Sequence, residues 1–239
     1  MKLALIGFGA MGHLTSARAQ GEGHEIALVL TSRDVVQHTD DIVERLRDVD
    51  VAVDFSVPEA VLNNVGACMR AGIPLVEGTT GWNRFEKDVR KFVEEHDGAL
   101  VYGANFSIGV NLFYRIVDHA AELFQGISDY EPFIEEAHHS RKRDAPSGTA
   151  LRLREILTTR LGREIPVAST RAGHIPGTHR VGFDSIADQI MLTHTARSRE
   201  GFAAGALMAA RWIKGRRGVY GFSEMIEEIL KERMMKKWL

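Results

Sequence analysis

Residues 134–150 read IEEAHHSRKRDAPSGTA, which sets His138 beside His139, Lys142 between Arg141 and Arg143, and a Pro-Ser-Gly-Thr run at 146–149. Imidazoles exchange protons near neutral pH and an ammonium group can supply one. Cations next to the N–H groups of a helix start attract anions. So dense a polar cluster is costly to bury without partners, and the segment is read as the chemical centre for an anionic small molecule. The alternative is a solvated basic face, because a run such as Arg141-Lys142-Arg143 is common on wet surfaces. No metal is expected here. Successive strand residues face opposite ways, and no further His or Cys follows the two histidines at a ligand-like spacing.

A strand must deliver this segment and a helix must leave it. FIEEA is expected to end near Ala137, and the helix LRLREILTTRL is expected to start near Gly148, which makes residues 138–147 a loop. Asp144 and Ser147 are both candidate N-caps, and Pro146 suits a first helical turn. Either cap leaves Gly148 and Thr149 presenting N–H groups suited to a carboxylate.

The rest of the chain falls into two grammars. Up to about residue 104, short apolar runs (LALIG, EIALVL, VAVDF, PLVEG, ALVYG) alternate with helix-length segments, the pattern of βαβ units and a parallel sheet. After Asn105 a long helix, VNLFYRIVDHAAELFQ, is followed by strand-like runs at YEPFIEEA, IPVASTRA, THRVGFD and DQIMLTHTA. Only two further helices interrupt them, so a second, α+β domain is expected, with its boundary near residues 106–109. The final FSEMIEEILKERMMKKWL has helical periodicity and is expected to pack back on the first domain.

Composition narrows the partners. The 239 residues carry 30 Lys+Arg against 32 Asp+Glu, so no basic field draws in nucleic acid or anionic membrane. No apolar window reaches the roughly 18 residues of a membrane span. The single cysteine, Cys68, lies in an apolar helical stretch and suits a buried thiol in a reducing compartment, so a cytoplasmic enzyme is expected.

KLALIGFGAMG supplies a second site. A strand runs into Gly7-Phe8-Gly9-Ala10-Met11-Gly12 and then into a helix. Gly7 permits the turn, Gly9 lets backbone approach a pyrophosphate, and Gly12 lets helix and strand pack closely, as in a Rossmann-like nucleotide site. The second strand ends in Thr31-Ser32-Arg33 rather than an acidic residue, which suits a 2′-phosphate better than a bare diol. NADPH is therefore expected to serve at least as well as NADH, with Ser32 and Arg33 near that phosphate. Gly78-Thr79-Thr80 and Gly103-Ala104-Asn105-Phe106 follow two further strands, where ligands of open α/β sheets bind.

His138-His139-x-x-Lys142-x-Asp144-Ala145-Pro146-Ser147-Gly148-Thr149-Ala150 resembles the signature of the dihydrodipicolinate reductase family. The likeness continues through VDFSVPEA, VEGTTGW, ANFSIGVN, RAGHIPGTH and the SRxxFAxGAxxAAxW pattern at 198–212. It implies an α/β fold with an N-terminal Rossmann-like parallel sheet over 1–107, completed by 216–239. A smaller α+β domain over 108–215 would bind substrate and form a homotetramer. It implies NAD(P)H-dependent reduction of a cyclic dicarboxylate, 4-hydroxy-tetrahydrodipicolinate, in diaminopimelate and lysine biosynthesis. By the same resemblance His138 is the acid/base group and Lys142 the proton donor. His139, Gly148 and Thr149 bind a substrate carboxylate, with Ser147 supporting. Residues 7–12, 78–80 and 103–106 hold the cofactor. For both histidines to face one pocket, the chain must leave its strand at His138. The remaining readings are another two-domain reductase and a non-catalytic NAD(P) sensor.

Overall fold

A computed structural model describes residues 1–31 and 39–235, so the expectations for Ser32 and Arg33 lie outside the described residues. The chain opens with β1 (Lys2–Ile6), α1 (Ala10–Gly21), β2 (Glu25–Leu30), α2 (Thr39–Leu46), β3 (Val51–Asp54), α3 (Val61–Ala71), β4 (Leu75–Glu77), α4 (Glu86–Glu95) and β5 (Ala99–Tyr102). There follow α5 (Ile108–Leu123), β6 (Glu131–His138), α6 (Gly148–Leu161), β7 (Val167–Arg171), β8 (Thr178–Asp184) and β9 (Gln189–Thr195). It closes with α7 (Glu200–Ile213), β10 (Gly218–Gly221) and α8 (Phe222–Met235). None of the described helices is long and apolar enough to cross a membrane.

Two compact units result, one of residues 1–108 and 199–239, the other of residues 109–198. The sequence reading divides the chain after 107 and returns at 216, whereas the compact units divide after Ile108 and return at Arg199. The reason lies in α7, whose buried face of Ala203, Gly205, Ala206, Leu207, Ala209 and Ala210 is small enough to sit close on the first unit's strands. A Cβ on Gly205 would stand 1.8 Å from the Phe106 carbonyl oxygen, so only glycine permits that approach. β10 also escaped the sequence reading; it pairs with β5 as the outermost strand.

In the first unit the six strands are parallel in the order β10-β5-β4-β3-β1-β2. β3 and β4 are buried along their whole length, which explains why VAVD and LVE show no polar alternation. β1 sends the chain one way to β2 and then back past itself to β3. The loops after β1 and β3 therefore flank the reversal of strand order, where ligands of open sheets bind.

The second unit is a mixed sheet, β7-β6-β8-β9, with β6 parallel to β7 and antiparallel to β8. Phe113 and Val117 of α5, Leu153 and Leu157 of α6, and Ile134, Val181 and Phe183 of the sheet form its core. In β6 every second residue, Pro132, Ile134, Glu136 and His138, is buried on this helix-covered side.

Candidate active site

The period of β6 puts chemistry at the end of an apolar stripe. Ile134 fills the core, and two and four residues on the same face brings Glu136 and then His138. Glu136 pairs in register with His179 of β8, and His138 with Arg171 of β7. Register thus gathers four polar side chains from three strands.

They form one connected chain. Arg171 Nη2 donates to Glu136 Oε1 at 2.6 Å, and the other carboxylate oxygen, Oε2, contacts His138 Nδ1. The His138 and His179 rings lie 5.1 Å apart, edge to face. His179 Nε2 is hydrogen-bonded to Ser147 Oγ at 3.1 Å. Burial would raise the Glu136 carboxyl, but Arg171, Ser169 and His138 outweigh it and hold the group down at about 2. Burial holds His138 below the ordinary imidazole value although Glu136 works against it. His179 is pushed down to about 4, by burial and then by the charge on His138. The cluster is therefore a buried carboxylate salt-bridged to arginine, with two imidazoles beside it that favour the neutral form.

Glu136, His138 and His179 also bring one potential ligand atom each within 4.8 Å of one another, a grouping the sequence reading missed. The Glu136 carboxylate already takes the Arg171 guanidinium on Oε1 and has His138 Nδ1 against Oε2, and the guanidinium brings positive charge close to where a cation would sit. The donor set suits an arginine-paired carboxylate beside neutral imidazoles better than a metal.

Strand β6 ends at His138, one residue later than expected, because its pairing with Arg171 keeps that residue in the ladder. The chain leaves the strand at His139 instead. Lys142 N donates to His139 O at 3.1 Å, turning the loop. Lys142 Nζ reaches Asp144 Oδ1 at 2.8 Å, and Arg171 Nη2 donates to the Asp144 carbonyl at 2.5 Å. Arg171 therefore fixes both the buried carboxylate and the loop that carries Lys142. Gly177 lies close to the ring, since a Cβ there would stand 3.2 Å from His138 Nε2.

Ser147 caps α6, accepting from Ala150 N at 3.3 Å. Asp144 is not the cap, and Pro146 precedes the cap, after a cis Ala145–Pro146 peptide, rather than opening the first turn. The first turn holds no acidic residue, and nothing lies within 4 Å of where a Gly148 Cβ would stand. Thr149 is tied to the Tyr114 hydroxyl. His139 is half-buried, and its Nδ1 is buried with no hydrogen-bond partner among the described residues. Among the sequence-expected residues, His138 and Ser147 join the polar chain, Lys142 sits on the adjoining loop, and Gly148 and Thr149 open the helix. Glu136, Arg171 and His179 complete it and were missed; the E-x-H alternation within β6 was the available signal for Glu136.

In the first unit, Gly7 has a φ of +83° and a Cβ there would meet the Phe55 carbonyl oxygen at 2.5 Å. A Cβ on Gly12 would meet the Gly7 carbonyl oxygen at 2.3 Å. Gly9, the N-cap of α1, faces open space, and the first turn carries no acidic residue. An uncapped, uncharged helix start behind an exposed glycine fits a bound pyrophosphate. Gly78 serves a neighbour, since a Cβ there would strike the Phe55 ring at 2.2 Å. Thr79 and Phe106 are buried, Phe106 against Phe55 and Phe222, so these two shape the crest from beneath. Thr80 and Ala104 are exposed on it, and Phe8, Ala10, Met11, Gly103 and Asn105 are at least partly accessible.

A parallel nucleotide-binding sheet in one unit, and a buried arginine–carboxylate–imidazole chain in the other, define a two-unit oxidoreductase of the dinucleotide-dependent class. Residues 1–106 match the family model described as dihydrodipicolinate reductase, N-terminus, and residues 109–226 the one described as dihydrodipicolinate reductase, C-terminus. The chain therefore belongs to the dihydrodipicolinate reductase family. It is 37% identical to the 4-hydroxy-tetrahydrodipicolinate reductase of Christiangramia forsetii, over 97% of this chain and 100% of that one. To the enzyme of that name from Pseudomonas fluorescens it is 36% identical, over 80% and 78%. The dipicolinate-bound dihydrodipicolinate reductase from Paenisporosarcina sp. shares the fold, with a TM-score of 0.76 at 20% identity over 93% of this chain and 98% of that one.

Proposed function

We propose that the chain reduces 4-hydroxy-tetrahydrodipicolinate to tetrahydrodipicolinate with NAD(P)H, on the route to diaminopimelate and lysine. The observation that carries this reading is the Arg171–Glu136–His138 chain at the end of β6, beside the loop of Lys142 and the Ser147-capped helix. A ring that accepts a hydride and loses its hydroxyl as water must also receive a proton, and it brings two carboxylates to be held.

Residues 7–12, 78–80 and 103–106 would hold the dinucleotide, Gly12, Thr79 and Phe106 through packing and the others from the crest; when bound, it supplies the hydride. His139 and the N–H groups of Gly148 and Thr149 receive one substrate carboxylate, and Ser147 fixes the start of that helix. Lys142 delivers the proton, oriented by Asp144. His138 serves as the acid/base group, its ring oriented by Glu136 through Nδ1. Arg171 keeps Glu136 ionised, so the carboxylate stays an acceptor.

Thr31-Ser32-Arg33 supports use of NADPH at least as readily as NADH. The homotetramer implied by the family is assigned to the second unit, whose sheet packs helices on one face while Glu135, Arg180, Met191 and Thr193 lie on the other; its mass in solution tests this. A cytoplasmic location agrees with the buried free Cys68. The catalytic test couples the preceding synthase, which makes the substrate in place, to separate measurements of NADH and NADPH oxidation. No oxidation of either overturns the function. A preference for NADH above about tenfold, roughly 1.4 kcal/mol, overturns the reading of Arg33.

A further inference from the structure

The first unit buries two carboxyl groups that the proposed reaction does not use. Asp54 ends β3 and Glu77 ends β4; they are direct partners in the parallel ladder, and both are wholly buried. Their donors are few. Asp54 Oδ1 accepts from Ser56 N at 2.8 Å and sits 3.5 Å from Thr79 Oγ1, while Oδ2 accepts from Asn64 Nδ2 at 2.7 Å. Glu77 Oε1 accepts from Thr79 N at 2.7 Å, and Glu77 Oε2 receives no hydrogen bond from a donor among the described residues.

Two buried carboxylates side by side cannot both stay ionised, and an oxygen without a donor in such a place is satisfied if it carries the proton itself. We propose that Asp54 and Glu77 share a single proton and act as a positioning pair, fixing the two strand-end loops that face the dinucleotide. This rests on the nucleotide reading of residues 78–80 given above. The loops are tied to the pair by their own backbones, since Ser56 N and Thr79 N each donate back to the carboxyl two residues earlier. Ser56 N also reaches Thr79 Oγ1 at 3.1 Å, joining one loop to the other. Loss of the proton would set two charges against each other beneath both loops.

Among the described residues, none that lies against the two carboxyls is a cation that could replace that proton. From α3 come Asn64 and Cys68, whose thiol is pushed up by burial and by the two carboxyls. From β5, Tyr102 pairs with Glu77, its phenol raised by burial, with Arg90 and Glu86 beyond it on the hydroxyl. From β1 the partner of Asp54 is Ile6, and the buried residues of α7 are apolar. Burial raises both carboxyls. It raises Glu77 further, because Glu77 faces the charge of Asp54 while Asp54 is held down by Ser56, Asn64 and Glu77, so the proton resides mainly on Glu77.

Infrared spectroscopy of the full chain without nucleotide tests the sharing, through the C=O stretch of a protonated carboxyl at neutral pH and its shift in heavy water. The band is expected in the parent chain and is expected to vanish in both Glu77→Gln and Asp54→Asn, because either amide replaces the shared proton with an N–H. No band in the parent, or a band that survives Asp54→Asn, overturns the proposal. NADPH titration then tests positioning: Glu77→Gln is expected to bind within about threefold of the parent and Glu77→Ala at least about tenfold more weakly. Equal weakening in the two variants overturns it. Should Glu77→Ala fail to fold, amide exchange at Ser56 and Thr79 in Glu77→Gln decides, parent-like protection being expected and its loss refuting the idea. A parent chain that shows the band and binds neither NADPH nor NADH would sink the nucleotide reading while upholding the shared proton; binding without the band would do the reverse.

Discussion

Replacing Glu136 by Gln removes a buried negative charge that lies against Arg171 and His138. The Glu136 side chain is wholly buried, its Oε1 takes the Arg171 guanidinium at 2.6 Å, and its Oε2 contacts His138 Nδ1. Its carboxyl stands at about 2 against an ordinary 4.5, because Arg171, Ser169 and His138 together outweigh the opposing effect of burial. That difference corresponds to about 3 kcal/mol of stabilisation of the charged form in the folded chain. The folded state therefore binds fewer protons here than the unfolded state. The contribution is fully present above the unfolded value of 4.5 and is lost as pH falls through about 2.

Glu136→Gln is accordingly expected to destabilise the second unit by about 3 kcal/mol at neutral pH, leaving Arg171 with an uncompensated charge. The gap between parent and variant is expected to close on acidification towards about pH 2, because protonating Glu136 makes the parent resemble the variant. Two units need not unfold together, so the measurement is urea unfolding read by hydrogen exchange in peptides covering β6 and β8, at neutral and acid pH. A gap that stays constant with pH, or one below about 0.5 kcal/mol at neutral pH, would show that Glu136 is not the anchor of the cluster.

Three further outcomes follow from the same geometry. In Glu136→Gln His138 loses the neighbour that favours its protonated form, so the acid limb of the pH–kcat/KM profile is expected to move to lower pH; an unmoved limb assigns it to another group. Lys142→Ala is expected to lower kcat by about a hundredfold to ten-thousandfold while NADPH affinity, measured by fluorescence titration, stays at the parent value. Retained turnover removes Lys142 from the proton path. Gly12→Ala places a Cβ 2.3 Å from the Gly7 carbonyl oxygen, so α1 must shift from β1 and nucleotide affinity is expected to fall at least about tenfold; parent-like binding would remove the pyrophosphate from this turn.

How much of this was legible in the sequence depended on how far apart the cooperating residues lie. The Gly7–Gly12 turn and the Ser147–Ala150 cap are local, each set by backbone geometry within a few positions; spacing gave the first and narrowed the second to Asp144 or Ser147. The small-residue face of α7 was also in view as AAGALMAA, yet only its fit against Phe106 shows which unit it serves. Thr79 was placed correctly at a strand end, but its side chain turns down to the buried carboxyls, a direction that spacing does not encode. The polar chain around His138 was the least legible, because its members come from β6, β7 and β8. Their meeting is decided by register. Sliding β6 by one residue against β8 would carry Glu136 and His138 away from the helices and separate them from Arg171 and His179. What holds the register is the apolar stripe that precedes them, since Ile134 must face Val181 and the α5–α6 core. The chemistry at the end of β6 is thus fixed by hydrophobic packing earlier in the same strand. A polar substitution at Ile134 is therefore expected to disperse the cluster without touching any of its members.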